Sequence, residues 1–230
     1  MDIRTFTENT PLPNTPAALL AIDLEMANSF FSSPAVICMI GVECYDPEQA
    51  VTRATIASIT DREEEADLIR WLLEHMEAFH RLHPGAKLLT FSGLDNDMRW
   101  LNERLVRLEI QAPEDSIFAR FGDHDLKVEF YRRTQNIKIS LKKLEGIFGI
   151  DRASSITSKK VSYVLTDVVR NHQRKSEIPA RLYEYLREDV HNLLVIYDRW
   201  NDVGLDSHNL TDGEFDELLT SLSRALKKII

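Results

Sequence analysis

Two acidic residues one position apart, Asp23 and Glu25, close the apolar run Leu19-Leu20-Ala21-Ile22-Asp23-Leu24-Glu25-Met26. In a strand, alternate side chains share a face, so both carboxylates point the same way from the end of a buried segment. Uncompensated charge in such a place is expensive, and a divalent metal resolves it. The chemistry expected of such a pair is metal-held phosphodiester cleavage. The same spacing in Asp61-Arg62-Glu63 is explained by a helix start. The apolar run sets Asp23 and Glu25 apart.

Two further stretches carry candidate acids. Thr90-Phe91-Ser92-Gly93-Leu94-Asp95-Asn96-Asp97 reads as a strand end, a glycine turn and a helix start, and delivers Asp95 or Asp97. Helix capping accounts for either residue equally well. In Tyr185-Leu186-Arg187-Glu188-Asp189, the tyrosine and aspartate stand four apart and stack on one helix face. Leu182, Leu186, Leu193 and Ile196 mark the buried side, so Asp189 faces inward and needs a partner, either a metal or a basic residue. Tyr163 and Asp167 repeat the spacing in a less clearly helical segment. Glu184 and Glu188 read as surface acids.

The elements that must position these groups follow from periodicity. Residues 1–17 hold Pro11, Pro13 and Pro16 and read as an extended arm. Strands are expected at Leu19–Leu24, Ala35–Cys44 and Ala54–Ile59, with a polar turn at Asn28–Pro34. Their short connections suggest an antiparallel meander. Leu68, Ile69, Leu72, Leu73, Met76 and Phe79 recur at helical spacing, which predicts a helix over about 62–80, capped by Thr60 or Asp61 with acids 63–65 in its first turn. A fourth strand is expected at Lys87–Phe91 and a helix at Asp97–Leu108. Leu126–Tyr131 fits either a fifth strand or a helix start. Ser140 can cap a helix that Gly149 ends. Residues 151–176 show no clear pattern. The longest helix runs through Leu182 to Trp200, and an amphipathic helix follows from Phe215 to Ile229. Strands first and then helices alternating with strands make an α/β or α+β domain with a mixed sheet.

The chain has 230 residues, 43% hydrophobic and 28% charged, which fits a globular protein with its own core and excludes a disordered one. No apolar run reaches membrane-spanning length and no signal peptide is evident, so a soluble cytoplasmic protein without a membrane partner is expected. Cys38 and Cys44 share one face of one strand, too far apart to bridge, and read as core thiols of a reducing compartment. The net charge of −9 argues against a polyanion partner, but its distribution argues for one. Lys127–Lys175 carries twelve basic and four acidic residues, +8, leaving −17 elsewhere. A basic stretch of this kind is either a solvated surface or a contact for nucleic acid.

Taken in order, Asp-x-Glu on the first core strand, Asp before a mid-chain helix and Tyr-x-x-x-Asp on a late helix resemble the DEDD 3′–5′ exonucleases of the ribonuclease H-like fold. The tyrosine resembles that of the DEDDy group, and no His-x-x-x-x-Asp occurs in the chain. The closer likeness is to the ribonuclease H-like type 2 exonuclease domain. Leu141-Lys-Lys-Leu-Glu-Gly-Ile-Phe-Gly-Ile-Asp-Arg152 is similar to that family's Leu-x-x-Leu-Glu-x-x-x-Gly-Ile-x-Arg. Phe91-Ser-Gly93 through Asp97-x-x-x-Leu101 resembles its Tyr-Asn-Gly and Phe-Asp-x-x-x-Leu, which selects Asp97 over Asp95. Met26, Ser92 and Asn96 depart from the family's threonine, asparagine and apolar residue.

The resemblance covers about 18–200 and implies an α/β, ribonuclease H-like domain with a mixed five-stranded sheet, between an arm (1–17) and a C-terminal helical appendage (201–230). It implies a 3′–5′ exonuclease acting on nucleic acid, at a single-stranded 3′ end. Asp23, Glu25, Asp97 and Asp189 would hold two Mg²⁺ or Mn²⁺ ions, changing the formal charge from −9 to −5, and Tyr185 would orient the attacking water. Lys142, Lys143 and Arg152 are expected along the substrate strand. The competing expectations are an endonuclease on the same fold and a non-catalytic nucleic-acid-binding module. The last helix either docks on the domain or pairs two chains.

Overall fold

A computed structural model describes residues 1–8, 10–27, 35–93, 96–111, 120–134, 138–171 and 177–200. The turn expected at 28–34, Asp95 and everything expected beyond Trp200, including the helix expected either to dock on the domain or to pair two chains, lie outside the described residues.

The molecule is an α/β structure built on one six-stranded mixed sheet. Its strands are β1 (Asp2–Glu8), β2 (Leu19–Ala27), β3 (Val36–Asp46), β4 (Val51–Ser58), β5 (Lys87–Thr90) and β6 (Gly122–Asp125), in the order β1-β4-β3-β2-β5-β6. The first four pair antiparallel, and β2-β5-β6 run parallel. β2 is therefore an inner strand, which explains its near-continuous apolar sequence. Leu20, Ile22 and Leu24 enter one apolar cluster, and Leu19 and Ala21 enter a second. Asp23 and Glu25 share the parity of Leu19 and Ala21.

The sheet has one strand more than the five expected, and the difference lies at its two edges. Residues 2–8, expected within an extended arm, are extended and pair with β4 from Asp2↔Ser58 to Glu8↔Thr52. At the other edge the strand is Gly122–Asp125, and Leu126–Arg133 is helix α3. Asp125 decides the boundary, because its carboxylate caps the helix by accepting from the amides of Lys127 and Val128.

Among the described residues, the remaining helices are α1 (Glu65–Leu82), α2 (Asp97–Arg107), α4 (Leu141–Ile147), α5 (Ser158–Arg170) and α6 (Ala180–Arg199). A short 3₁₀ turn, Arg62–Glu64, precedes α1 and is capped by Asp61. Glu65 lies in the first turn of α1, as expected of acids 63–65. It is buried, accepts from the Ile37 amide at 2.8 Å, and receives a two-nitrogen fork from Arg104. That ion pair ties β3 and α1 to α2. Ser140 caps α4 and Gly149, at φ 66°, follows it. The unassigned stretch 151–176 contains α5, capped by Thr157, with Val161, Leu165, Val168 and Val169 in the core. Among the described residues, no helix is long and apolar enough to cross a membrane.

Helix α6 lies very close to the sheet because Gly41 allows it. Gly41 is the register partner of Asp23, and a Cβ there would stand 2.8 Å from Leu186 Cγ and 3.1 Å from Val190 Cγ1. The absence of a side chain on β3 sets how near Tyr185 and Asp189 come to Asp23.

Candidate active site

Asp23 and Glu25 project from β2 where its pairing with β3 shifts by one residue, between Glu25 and Met26. Asp189 projects from the middle of α6. One carboxylate oxygen from each of these three residues lies within 4.8 Å of the others. Asp97, the first residue of α2, lines the same cleft of about 720 Å³ but stands outside that closest group. Tyr185, one turn before Asp189, also lines it. The structure thus brings the five expected residues to one cleft, three of them into near contact.

The electrostatics of the cluster are strained. Burial pushes Asp23 up from 3.8 to about 7, against the opposing pull of Arg152. Burial raises Glu25 well above its ordinary range, and the charges of Asp23 and Asp97 add to the rise, while a hydrogen bond from Tyr185 opposes it. Asp97 is raised by burial and then by Asp23 and Asp125. Clustered carboxylates that resist ionising suit a cation, whose charge offsets theirs. The donors are all hard oxygens, and Asp189 Oδ1 is buried with the Arg152 guanidinium against it. The set fits a hard divalent ion.

A pH dependence follows. Between about 4 and 7 the folded state keeps a proton on Asp23 that the unfolded chain releases, so stability falls as pH rises through that window. Metal-free protein is therefore expected to melt at lower temperature at pH 8 than at pH 5.5. Added Mg²⁺ or Mn²⁺ should recover the loss at pH 8 and do little at pH 5.5. Thermal scans in EDTA and in each ion read this directly.

The basic candidates divide. Lys142 lines the cleft, whereas Lys143 is exposed and does not. Arg152, expected along a substrate strand, is only 10% exposed. It contacts Asp189 and Glu145 and lies 5.3 Å from the Tyr185 ring centroid, because the segment after α4 turns it inward. Glu188, read as a surface acid, accepts from the Ala153 and Ser154 amides at 3.0 and 3.1 Å and pins that segment. Tyr163 is 47% exposed, and Asp167 accepts from Asn171, so the second Tyr-Asp pair lies away from the cleft.

Several residues with a part in the site were missed. Asp125 is buried at the end of β6, and its Oδ1 accepts from the Ser92 amide at 2.9 Å. This holds Ser92 at φ 62°, a strained conformation at the cleft wall. Lys127 Nζ donates to Ser92 Oγ at 2.8 Å and brings a cation to the same wall. The signal for Asp125 was an aspartate directly before an apolar helix start.

A family model described as RNase_H_2, of the RNase_H superfamily, matches residues 21–201. No curated protein matches the chain significantly. The matched span runs from Ala21 in β2, two residues before Asp23, past the end of α6, and so takes in every residue of the acidic cluster, and on that extent the chain belongs to the RNase_H_2 family of the RNase_H superfamily.

Proposed function

We propose that the protein is a divalent-metal-dependent 3′–5′ exonuclease of the DEDDy type. The observation that carries this reading is the joining of Asp23, Glu25 and Asp189 with the Tyr185 hydroxyl in one cleft. Asp23, Glu25, Asp97 and Asp189 would hold two Mg²⁺ or Mn²⁺ ions. When bound, these supply phosphate neutralisation, an activated water and leaving-group stabilisation.

The chain's own residues do the rest. The Tyr185 hydroxyl is held by Glu25 and by Ser158 Oγ at 3.2 Å. Burial and the charges of Glu25 and Asp23 raise its pKa above the ordinary tyrosine value, so it stays neutral. It acts by orienting a water through a hydrogen bond and not as a base. Tyr185→Phe is expected to cut kcat by about 10- to 100-fold and leave the pH profile unchanged. A lost pH limb in the variant would show that the hydroxyl titrates.

Lys127 and Lys142 flank the cleft and offer charge to a phosphate backbone. Converting both to glutamine should weaken single-strand binding and reduce its log–log salt slope by roughly one to two. An unchanged slope would remove them from the strand path. Trp100 and Phe91 on the same walls offer rings on which an unpaired base can stack. These features favour a single-stranded 3′ end as substrate. Free Cys38 and Cys44 fit a reducing, cytoplasmic setting.

The test is degradation of 3′- and 5′-labelled DNA and RNA single strands, and of a circular single strand, with Mg²⁺, Mn²⁺ or EDTA. Stepwise loss from the 3′ end with the circle intact supports the reading. A nicked circle indicates an endonuclease, and binding without cleavage indicates a non-catalytic module.

A further inference from the structure

Two buried arginine–glutamate pairs are built differently. Arg104 forks onto Glu65, with Nε donating to Oε1 at 2.8 Å and Nη2 to Oε2. Arg152 makes no fork. Its Nε stands 3.0 Å from Glu145 Oε1 and its Nη2 touches Asp189 Oδ1, so it divides between two carboxylates. Glu145 Oε2 accepts no hydrogen bond among the described residues. Glu145 itself is fixed, because Asn192 Nδ2 donates to its Oε1 at 2.8 Å. The backbone carrying Arg152 is fixed too, through the Ala153 and Ser154 amides on Glu188, the residue before Asp189. The guanidinium is thus a charge held between two carboxylates on an anchored frame, and only its side chain is free to choose.

We propose that Arg152 is a resident counter-cation that bridges Asp189 and Glu145 until a divalent ion is bound and then withdraws onto Glu145 alone. The proposal rests on the metal-site reading above. An arginine and a metal ion compete for the same aspartate oxygen. Glu145 lies within reach and has an oxygen to accept the fork that Arg104 already makes on Glu65. Arg152 is therefore a positioning residue: it offsets carboxylate repulsion in the empty cluster and sets the affinity of the cluster for metal.

The test is Mn²⁺ affinity of the full chain by titration calorimetry, with Mn²⁺-induced thermal stabilisation as a second readout. The proteins are wild type, Arg152→Gln, Glu145→Gln and the double variant. Arg152→Gln should bind Mn²⁺ about tenfold more tightly, because the competitor is gone. Glu145→Gln should bind about tenfold more weakly, because Arg152 has nowhere to withdraw. The double variant should match Arg152→Gln alone. Wild-type affinity in the double variant means that the two effects add, which makes both residues bystander charges and overturns the proposal. Weaker binding in both single variants makes the pair merely structural and also overturns it, as does failure of Arg152→Gln to fold by circular dichroism. If Glu145→Gln does not fold, the Arg152→Gln arm decides alone: unchanged or weaker binding overturns the proposal. Wild type that binds no Mn²⁺ defeats the metal-site reading and this proposal together, whereas wild-type binding with additive variants defeats only the proposal.

Discussion

The double substitution Asp23→Asn/Glu25→Gln is expected to abolish nucleic-acid hydrolysis and, in EDTA at pH 8, to raise the melting temperature above that of wild type. Loss of activity should be on the order of 10³-fold or more, since the groups removed are those that hold the charge of the reaction. The gain in stability has a separate origin. Each pKa unit represents about 1.4 kcal/mol. Asp23 is raised from 3.8 to about 7 and Glu25 in the same direction, so ionising the cluster at pH 8 works against the fold. Arg152 offsets part of that cost and solvent in the cleft screens more, leaving roughly 1–2 kcal/mol to recover. For a chain of this size that is about 2–8 °C. Added Mn²⁺ should reverse the order, stabilising wild type and leaving the variant unchanged. A variant that melts below wild type in EDTA would show the two carboxylates to be structural. Retained activity would remove them from the reaction.

Gly41→Ala is expected to cost both stability and turnover, although Gly41 is not one of the site residues. A Cβ at 2.8 Å from Leu186 Cγ cannot be absorbed by the far end of a flexible chain, so α6 must move outward. Overpacking of this kind costs about 1–3 kcal/mol, which lowers the melting temperature by roughly 2–12 °C. Because α6 carries Tyr185 and Asp189, the same shift separates them from Asp23 and Glu25. A misplacement near 1 Å costs about 10²-fold in rate. The informative comparison is Leu186→Ala in the Gly41→Ala background, which returns the space. Melting temperature and activity should recover together. Recovery of stability without activity would mean that α6 does not set the site geometry.

The inner strands and amphipathic helices were legible because burial leaves a local signature. β2 and β3 are apolar on both faces, and α1 and α6 carry a stripe at helical spacing. The edges were not. Asp2-Ile-Arg-Thr-Phe-Thr-Glu8 and Gly122-Asp-His-Asp125 have no apolar alternation, and they are strands because β4 and β5 offer them backbone partners. Helix α5 was obscured because its four apolar core residues are interspersed with Lys159, Lys160, Ser162 and Thr166, the last two buried although polar.

For the candidate site, the local pattern determined which residues have the chemistry: a carboxylate pair at a strand end, an aspartate at a helix start, and a tyrosine and aspartate one helical turn apart. Their convergence was decided by tertiary structure alone. Asp23 and Asp189 are brought together by the β2–β3 register and by the missing side chain of Gly41, neither of which has a period to read. The same holds for Arg152. As one of twelve cations in a basic stretch it had the features of a surface charge, and only the path of the chain after α4, pinned by Glu188, turns it inward to Asp189. Local periodicity records which face of an element is buried, but which buried faces meet is set by packing between residues distant in the chain, and that information is distributed over the whole sheet.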